Sequence, residues 1–122
     1  MKILCFLKRK AGLSRAAFID YYEQRHAKLI AELLPFYSEY KRNFIDADDV
    51  YAPGHLENKA QTVPPFDVVT ELTFSSRQMY EKMLAALADP VIGPRIAADE
   101  ENVFDRSAMV IYTVDERVSS IR

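Results

Sequence analysis

The stretch AFIDYYEQRHAKLI, residues 17–30, sets an imidazole, His26, among phenols. At about 100° per residue, Phe18, Tyr22, His26, Leu29 and Leu33 fall on one arc of a helix, so His26 points toward a core rather than into water. Two readings are open. In one, a neutral imidazole is buried and bonded to a backbone carbonyl. In the other, His26 joins the hydroxyls of Tyr22 and Tyr40 in a cleft between helix and sheet, where convergent polar groups make a binding site. An imidazole with an ordinary pKa of ~6.5 accepts a proton near neutrality, which suits a general base that needs no cofactor.

Other chemistries find less support. The only histidines, His26 and His55, lie in different segments, and no H-x-H, H-x-x-x-H or C-x-x-C spacing occurs, so no metal site is expected. The glycines form no phosphate-cradling motif, and no cofactor is expected. Cys5 is a lone cysteine in an apolar run and reads as a small core residue rather than a thiolate nucleophile. A net charge of −2 offers no footprint for nucleic acid or an anionic membrane. The KRK run at residues 8–10 reads as a solvated strand end.

These candidates need elements to hold them. The apolar run at residues 2–8 reads as a strand, and Gly12 and Ser14 then supply a break and a helix N-cap. The helix runs from Arg15 until Pro35 ends it, about four to five turns. Residues 36–46 mix aromatic and β-branched types and read as a second strand. Residues 47–65, with Pro53, Gly54, Pro64 and Pro65, read as a loop long enough to be a functional candidate. Residues 66–74 alternate Phe66, Val68, Thr70, Leu72 and Phe74 on one face of a third strand. Ser75 or Ser76 caps a second long helix whose stripe is Met79, Tyr80, Met83, Leu84 and Leu87. The ADPVIGP segment breaks it, a short helix over 94–104 follows with Pro94 in its first turn, and 106–116 is the last strand.

The order is β-α-β-β-α-β, the split βαβ pattern of a ferredoxin-like α+β fold, with an extra short helix before the last strand. One domain over 1–116 and a tail over 117–122 account for the 122 residues. RNA-recognition domains share this order but need a basic, aromatic central strand, whereas Asp67 and Glu71 lie on this one. Both ILCFL and AMVIY are apolar at odd and even positions, so both sheet faces want cover and two helices can supply only one. The open face is expected to pack on a second copy, giving a homodimer. No run is long and apolar enough to span a membrane, and with one cysteine and no signal sequence the expected location is the cytoplasm.

The segment KILCFLKRKAGLSRAAFIDYYEQRHAKLI, with FDVVTELTF and DPVIGPRIAADEENVFD downstream, resembles EthD-type domains in its GLS turn, Tyr-Tyr pair, helical histidine and Asp-Glu-x-x-x-Phe segment. The resemblance covers most of the chain except 47–65 and the tail. It implies a dimeric α+β barrel and kinship with cofactor-independent cyclases, isomerases, decarboxylases and monooxygenases. It sets the family's histidine on His26 and its acidic pair on Asp99 and Glu100. The haem-degrading branch uses a Trp with Asn and His, and this chain has no Trp. The expected activity is cyclisation, isomerisation or decarboxylation of a small aromatic or polyketide-like molecule. His26 and Tyr22 would be catalytic, and Phe18, Tyr40, Asn43, Phe66 and Asp99 would contact the ligand. The alternative is a non-catalytic small-ligand-binding or accessory protein of a degradation pathway.

Overall fold

The structure is a computed structural model that describes residues 1–47, 55 and 63–121. Four strands form one antiparallel sheet in the order β2-β3-β1-β4: β1 Lys2–Leu7, β2 Glu39–Phe44, β3 Val68–Thr73 and β4 Val110–Val114. Register follows side-chain alternation. Ile3, Cys5 and Leu7 of β1 pair with Leu72, Thr70 and Val68 of β3, and these six are buried on one face. That face is covered by α1 Arg15–Tyr21 and α2 Ala27–Leu33, joined by a π-helical turn over Tyr22–His26, and by α3 Arg77–Leu87 and α4 Ile92–Val103.

Ser14 and Ser76 cap α1 and α3 with side-chain oxygens that accept from Ala17 N and Met79 N, as their types require. Asp89 does the same for α4, accepting at 2.9 Å from Val91 N and from Ile92 N, so α4 begins two residues before the expected Pro94. The turn from α3 to α4 is tight: a Cβ on Gly93 would stand 2.3 Å from the Leu87 carbonyl oxygen, so a side chain there would force the helices apart.

Three expectations need correction. The second strand starts at Glu39 rather than residue 36, because the chain turns at Pro35 before joining β3 through Ser38 N and Thr73 O. The last strand covers only Val110–Val114, since Asp105 caps a 3-10 turn over Arg106–Ala108. The long first helix is not one uniform α-helix, and its phase shifts: of the expected apolar positions Phe18, Tyr22, Leu29, Ile30 and Leu33, Ile30 is buried while Leu29 and Leu33 are only half-buried, and Leu34 is buried in their place. The expected 47–65 loop lies mostly outside the described residues.

The other face of the sheet carries Leu4, Phe6, Val69, Val110 and Tyr112, with Tyr112 57% exposed. No helix among the described residues is long and apolar enough to cross a membrane.

Candidate functional site

The site is built on the π turn. Phe18, Tyr22, His26, Ile30 and Leu34 are all buried and stand four residues apart. In an α-helix each four-residue step overshoots a full turn by about 40°, so a strict step of four would spiral off the core. The wider π turn, in which Ala27 N–H donates to the Tyr22 carbonyl, takes up the excess and keeps His26 and Ile30 on the same face. Neither residue composition nor apolar counting marks this turn. The strict step of four is the signal that could have found it.

Asp99, in the third turn of α4, meets His26 across the helix interface. The Asp99 carboxylate accepts from Tyr21 O–H at 2.6 Å and from His26 Nδ1 at 2.8 Å. Because a carboxylate only accepts, the proton sits on Nδ1 and the lone pair on Nε2. Asn102 Nδ2 donates to Tyr21 Oη at 3.2 Å and holds that phenol in place. Every buried side-chain nitrogen or oxygen among the described residues has a partner, and Nε2 makes no hydrogen bond, so Nε2 is open to a small molecule. The rings of Tyr22 and Phe104 stand edge-on to the imidazole at 5.3 and 5.1 Å. Burial holds the His26 pKa below its ordinary value despite the pull of Asp99, so the imidazole is neutral at neutral pH.

His26 lines a cavity of about 90 Å³ between the sheet and the helices, and Nε2 is the ring nitrogen that Asp99 does not take up. Ile3, Cys5, Thr70 and Leu72 form its floor, and Ile30, Met83, Ile96 and Phe104 form its helical wall. Leu87, Glu100, Met109 and Ile111 keep some exposure, Ile111 as much as 53%, and mark the mouth beside β4. The enclosed space is smaller than the ~150 Å³ apolar cavity that takes up benzene, so it admits the reacting end of a molecule while the rest lies in the mouth.

The two tyrosines are placed differently from the expectation. Tyr40 O–H donates to Tyr22 Oη at 2.9 Å, and the Tyr22 hydroxyl stands 2.7 Å from Thr70 Oγ1. The Tyr22 hydroxyl is therefore engaged on both sides, and the residue offers the cavity its ring. Burial pushes the Tyr22 phenol up to about 12 and raises Tyr40 further, so both remain protonated donors. Burial also pushes the Cys5 thiol up to about 12, which leaves it inert as a nucleophile.

Phe18 packs edge-on to Tyr22 and Phe104 at 6.2 and 5.9 Å, behind the cavity wall. Asn43 and Phe66 are not brought to the cavity. Asn43 lies on the far face of the sheet, where Nδ2 donates to Val69 O and Glu71 Oε2. Phe66 precedes β3 and packs on Phe6 at 5.3 Å on that same far face, because the alternation that points Val68 inward ends before it. Glu100 was passed over as a ligand contact in favour of Asp99, yet Glu100 is the acid that lines the cavity while Asp99 stands behind the imidazole.

Residues 10–107 match the EthD domain, most of the chain. The chain belongs to the EthD family. Its fold is also found in an Arabidopsis thaliana protein. The crystal structure of that protein is 13% identical, with 98% of both chains covered and a TM-score of 0.60. Its solution structure is 18% identical, covers 98% of this chain and 90% of that one, and has a TM-score of 0.55. An EthD family protein from Bacillus halodurans is 17% identical over 93% of this chain and 97% of its own, with a TM-score of 0.53. At such identities the likeness is one of fold, the ferredoxin-like α+β arrangement described above. No curated protein matches the chain. His26, Tyr22, Phe18 and Asp99 all lie within the EthD match, as does Glu100.

Proposed function

We propose that this EthD-family protein is a cofactor-independent enzyme in which His26 removes a carbon-bound proton from a small aromatic or polyketide-like carbonyl compound. The observation that carries the reading is the state of one side chain: Nδ1 bonded to Asp99, Nε2 without a hydrogen bond among the described residues, and the ring lining an apolar cavity. A neutral imidazole held in that tautomer has a lone pair ready for a proton, and Asp99 would stabilise the imidazolium that forms. The dry surroundings strengthen that attraction and leave the enolate shielded from water. Isomerisation, cyclisation and decarboxylation all pass through such an enolate.

The experiment is proton–deuteron exchange at the α-carbon of 2-tetralone in deuterated buffer, followed by NMR. Its CH2–C=O end suits the cavity and its aromatic ring the mouth. Exchange faster than buffer alone is expected. Saturable binding with no exchange would instead favour a binding or accessory protein.

The same reading includes a homodimer through the open sheet face. Phe6 stands there between Phe66, tilted at 5.3 Å, and Tyr112, edge-on at 6.0 Å, an apolar cluster that none of the described helices covers. Beside it Lys2 bridges Glu71 and Glu116, a polar end that would set the register of two copies. Sedimentation at micromolar concentration should give the mass of two chains, and Phe6→Glu should shift it to one. A monomeric wild type would overturn the dimer.

A further inference from the structure

We infer that Glu100 is the second catalytic group of this cavity: the acid that serves the carbonyl oxygen of an enolisable ketone while His26 takes the proton from carbon. The inference rests on the His26 base reading and adds the partner that reading lacks. An enolate is formed at low cost only if the charge developing on oxygen meets a donor, and a base alone supplies none.

Asp99 and Glu100 are adjacent on α4, so their side chains diverge by about 100° around the helix. With Asp99 turned onto Nδ1 of His26, Glu100 is left lining the cavity that His26 also lines. Its side chain retains only 17% exposure, and it lines the same cavity as Cys5 on the sheet floor. The structure gives Glu100 little else to do. Its one ionic partner among the described residues is Arg106, at 3.5 Å from Oε1, and Arg106 is 45% exposed and lies nearer to Glu101, at 3.2 Å. Oε2 makes no hydrogen bond among the described residues. Burial, opposed by Arg106 and assisted by Asp99 and Glu101, raises the Glu100 pKa above the usual carboxyl range and favours its acid form.

The step balances. The Nε2 lone pair forms a bond to the α-proton, and the C–H pair becomes the enol C=C. The carbonyl π pair moves to oxygen, which takes the Glu100 proton. The products are an enol, an imidazolium and a carboxylate. Reversal at the same carbon exchanges its hydrogen, and return at another carbon isomerises the substrate. The compound implied is a neutral ketone, since a carboxylate substrate would set a second negative charge against the Glu100 carboxylate that the step leaves behind.

The test compares wild type, Glu100→Gln and His26→Gln in the 2-tetralone exchange across pH. Glutamine keeps the size of Glu100 but has no transferable proton. The titratable groups that share the cavity with Glu100 are Tyr22 and His26 from the π turn, Cys5 from β1 and Tyr40 from β2, with Arg106 from the 3-10 turn and Asp99 and Glu101 on its own helix beside it. Cys5 and Tyr22, each held up at about 12 by burial, and Tyr40, raised further, keep their protons in the working range. An alkaline fall in rate therefore belongs to Glu100 losing its proton. Glu100→Gln is expected to slow exchange by roughly 10²-fold or more and to abolish that alkaline limb. A Gln variant with unchanged rate, or a slower one that keeps the limb, overturns the role of Glu100 and leaves His26 standing. Wild-type exchange no faster than that of His26→Gln overturns the base reading, and this inference with it.

Discussion

His26→Gln should lose roughly 10²–10⁴-fold in exchange rate, the usual contribution of a positioned general base. The variant is chosen so that loss of activity is not loss of fold. A glutamine amide donates N–H to Asp99 as the imidazole does, so the carboxylate at 2.8 Å keeps a partner and only the basic lone pair disappears. Removing the side chain altogether would leave Asp99 with Tyr21 alone and open a hole against Phe104 and Tyr22. The pH profile of the wild type carries the same argument. The active imidazole is the neutral one, so activity falls as pH falls, and burial places the midpoint of that acid limb below 6.5. A midpoint above 6.5 would mean that attraction to Asp99 outweighs burial. Stability follows the same sign: between the depressed native pKa and 6.5 the unfolded chain binds the proton first, so the fold weakens as pH drops through that window. Exchange that survives His26→Gln at the wild-type rate would remove His26 from the mechanism.

Phe104→Ala should destabilise the fold by ~3–5 kcal/mol, a large share of the ~5–15 kcal/mol that holds a domain of this kind together. Phe104 is 2% exposed and is the ring against which Phe18, Tyr22 and His26 all pack, at 5.9, 5.5 and 5.1 Å. The backbone on both sides is pinned, by Lys10 N to Val103 O and by Asp105 N to Lys8 O, each at 2.9 Å. The site therefore cannot collapse to fill the space, and the cost keeps its cavity component. A drop in the denaturant midpoint with an unchanged slope is the expected reading. A loss under about 1 kcal/mol would show that the aromatic cluster closes over the gap. The enlarged cavity should also free the imidazole to turn, so exchange slows even below the unfolding transition.

Much of this protein follows from local rules. The cap Ser14 was legible, and the second was narrowed to Ser75 or Ser76 before the structure chose Ser76, because an N-cap is a contract between a hydroxyl and the backbone three residues on. The inward row Val68, Thr70, Leu72, Phe74 was legible because a strand has period two. The direction of His26 toward the sheet was legible from the helical arc of Phe18 and Tyr22. The resemblance to EthD domains was carried by the order of short segments, and the family match bears it out.

What required the tertiary structure is phase and partnership. Phe66 and Asn43 have side chains that could serve a pocket, but which face they take depends on where β3 begins and how β2 registers on it, and one residue of slip reverses the face. The π turn answers a core that buries Ile30 and Leu34 and leaves Leu29 and Leu33 half-buried, a demand made by the sheet beneath and not by the helix itself. Asp99 and Glu100 are neighbours with the same charge and nearly the same chemistry. Only the rotation of α4 against the π turn, set by the burial of Ile96 and Val103, sends Asp99 to the imidazole and Glu100 to the cavity.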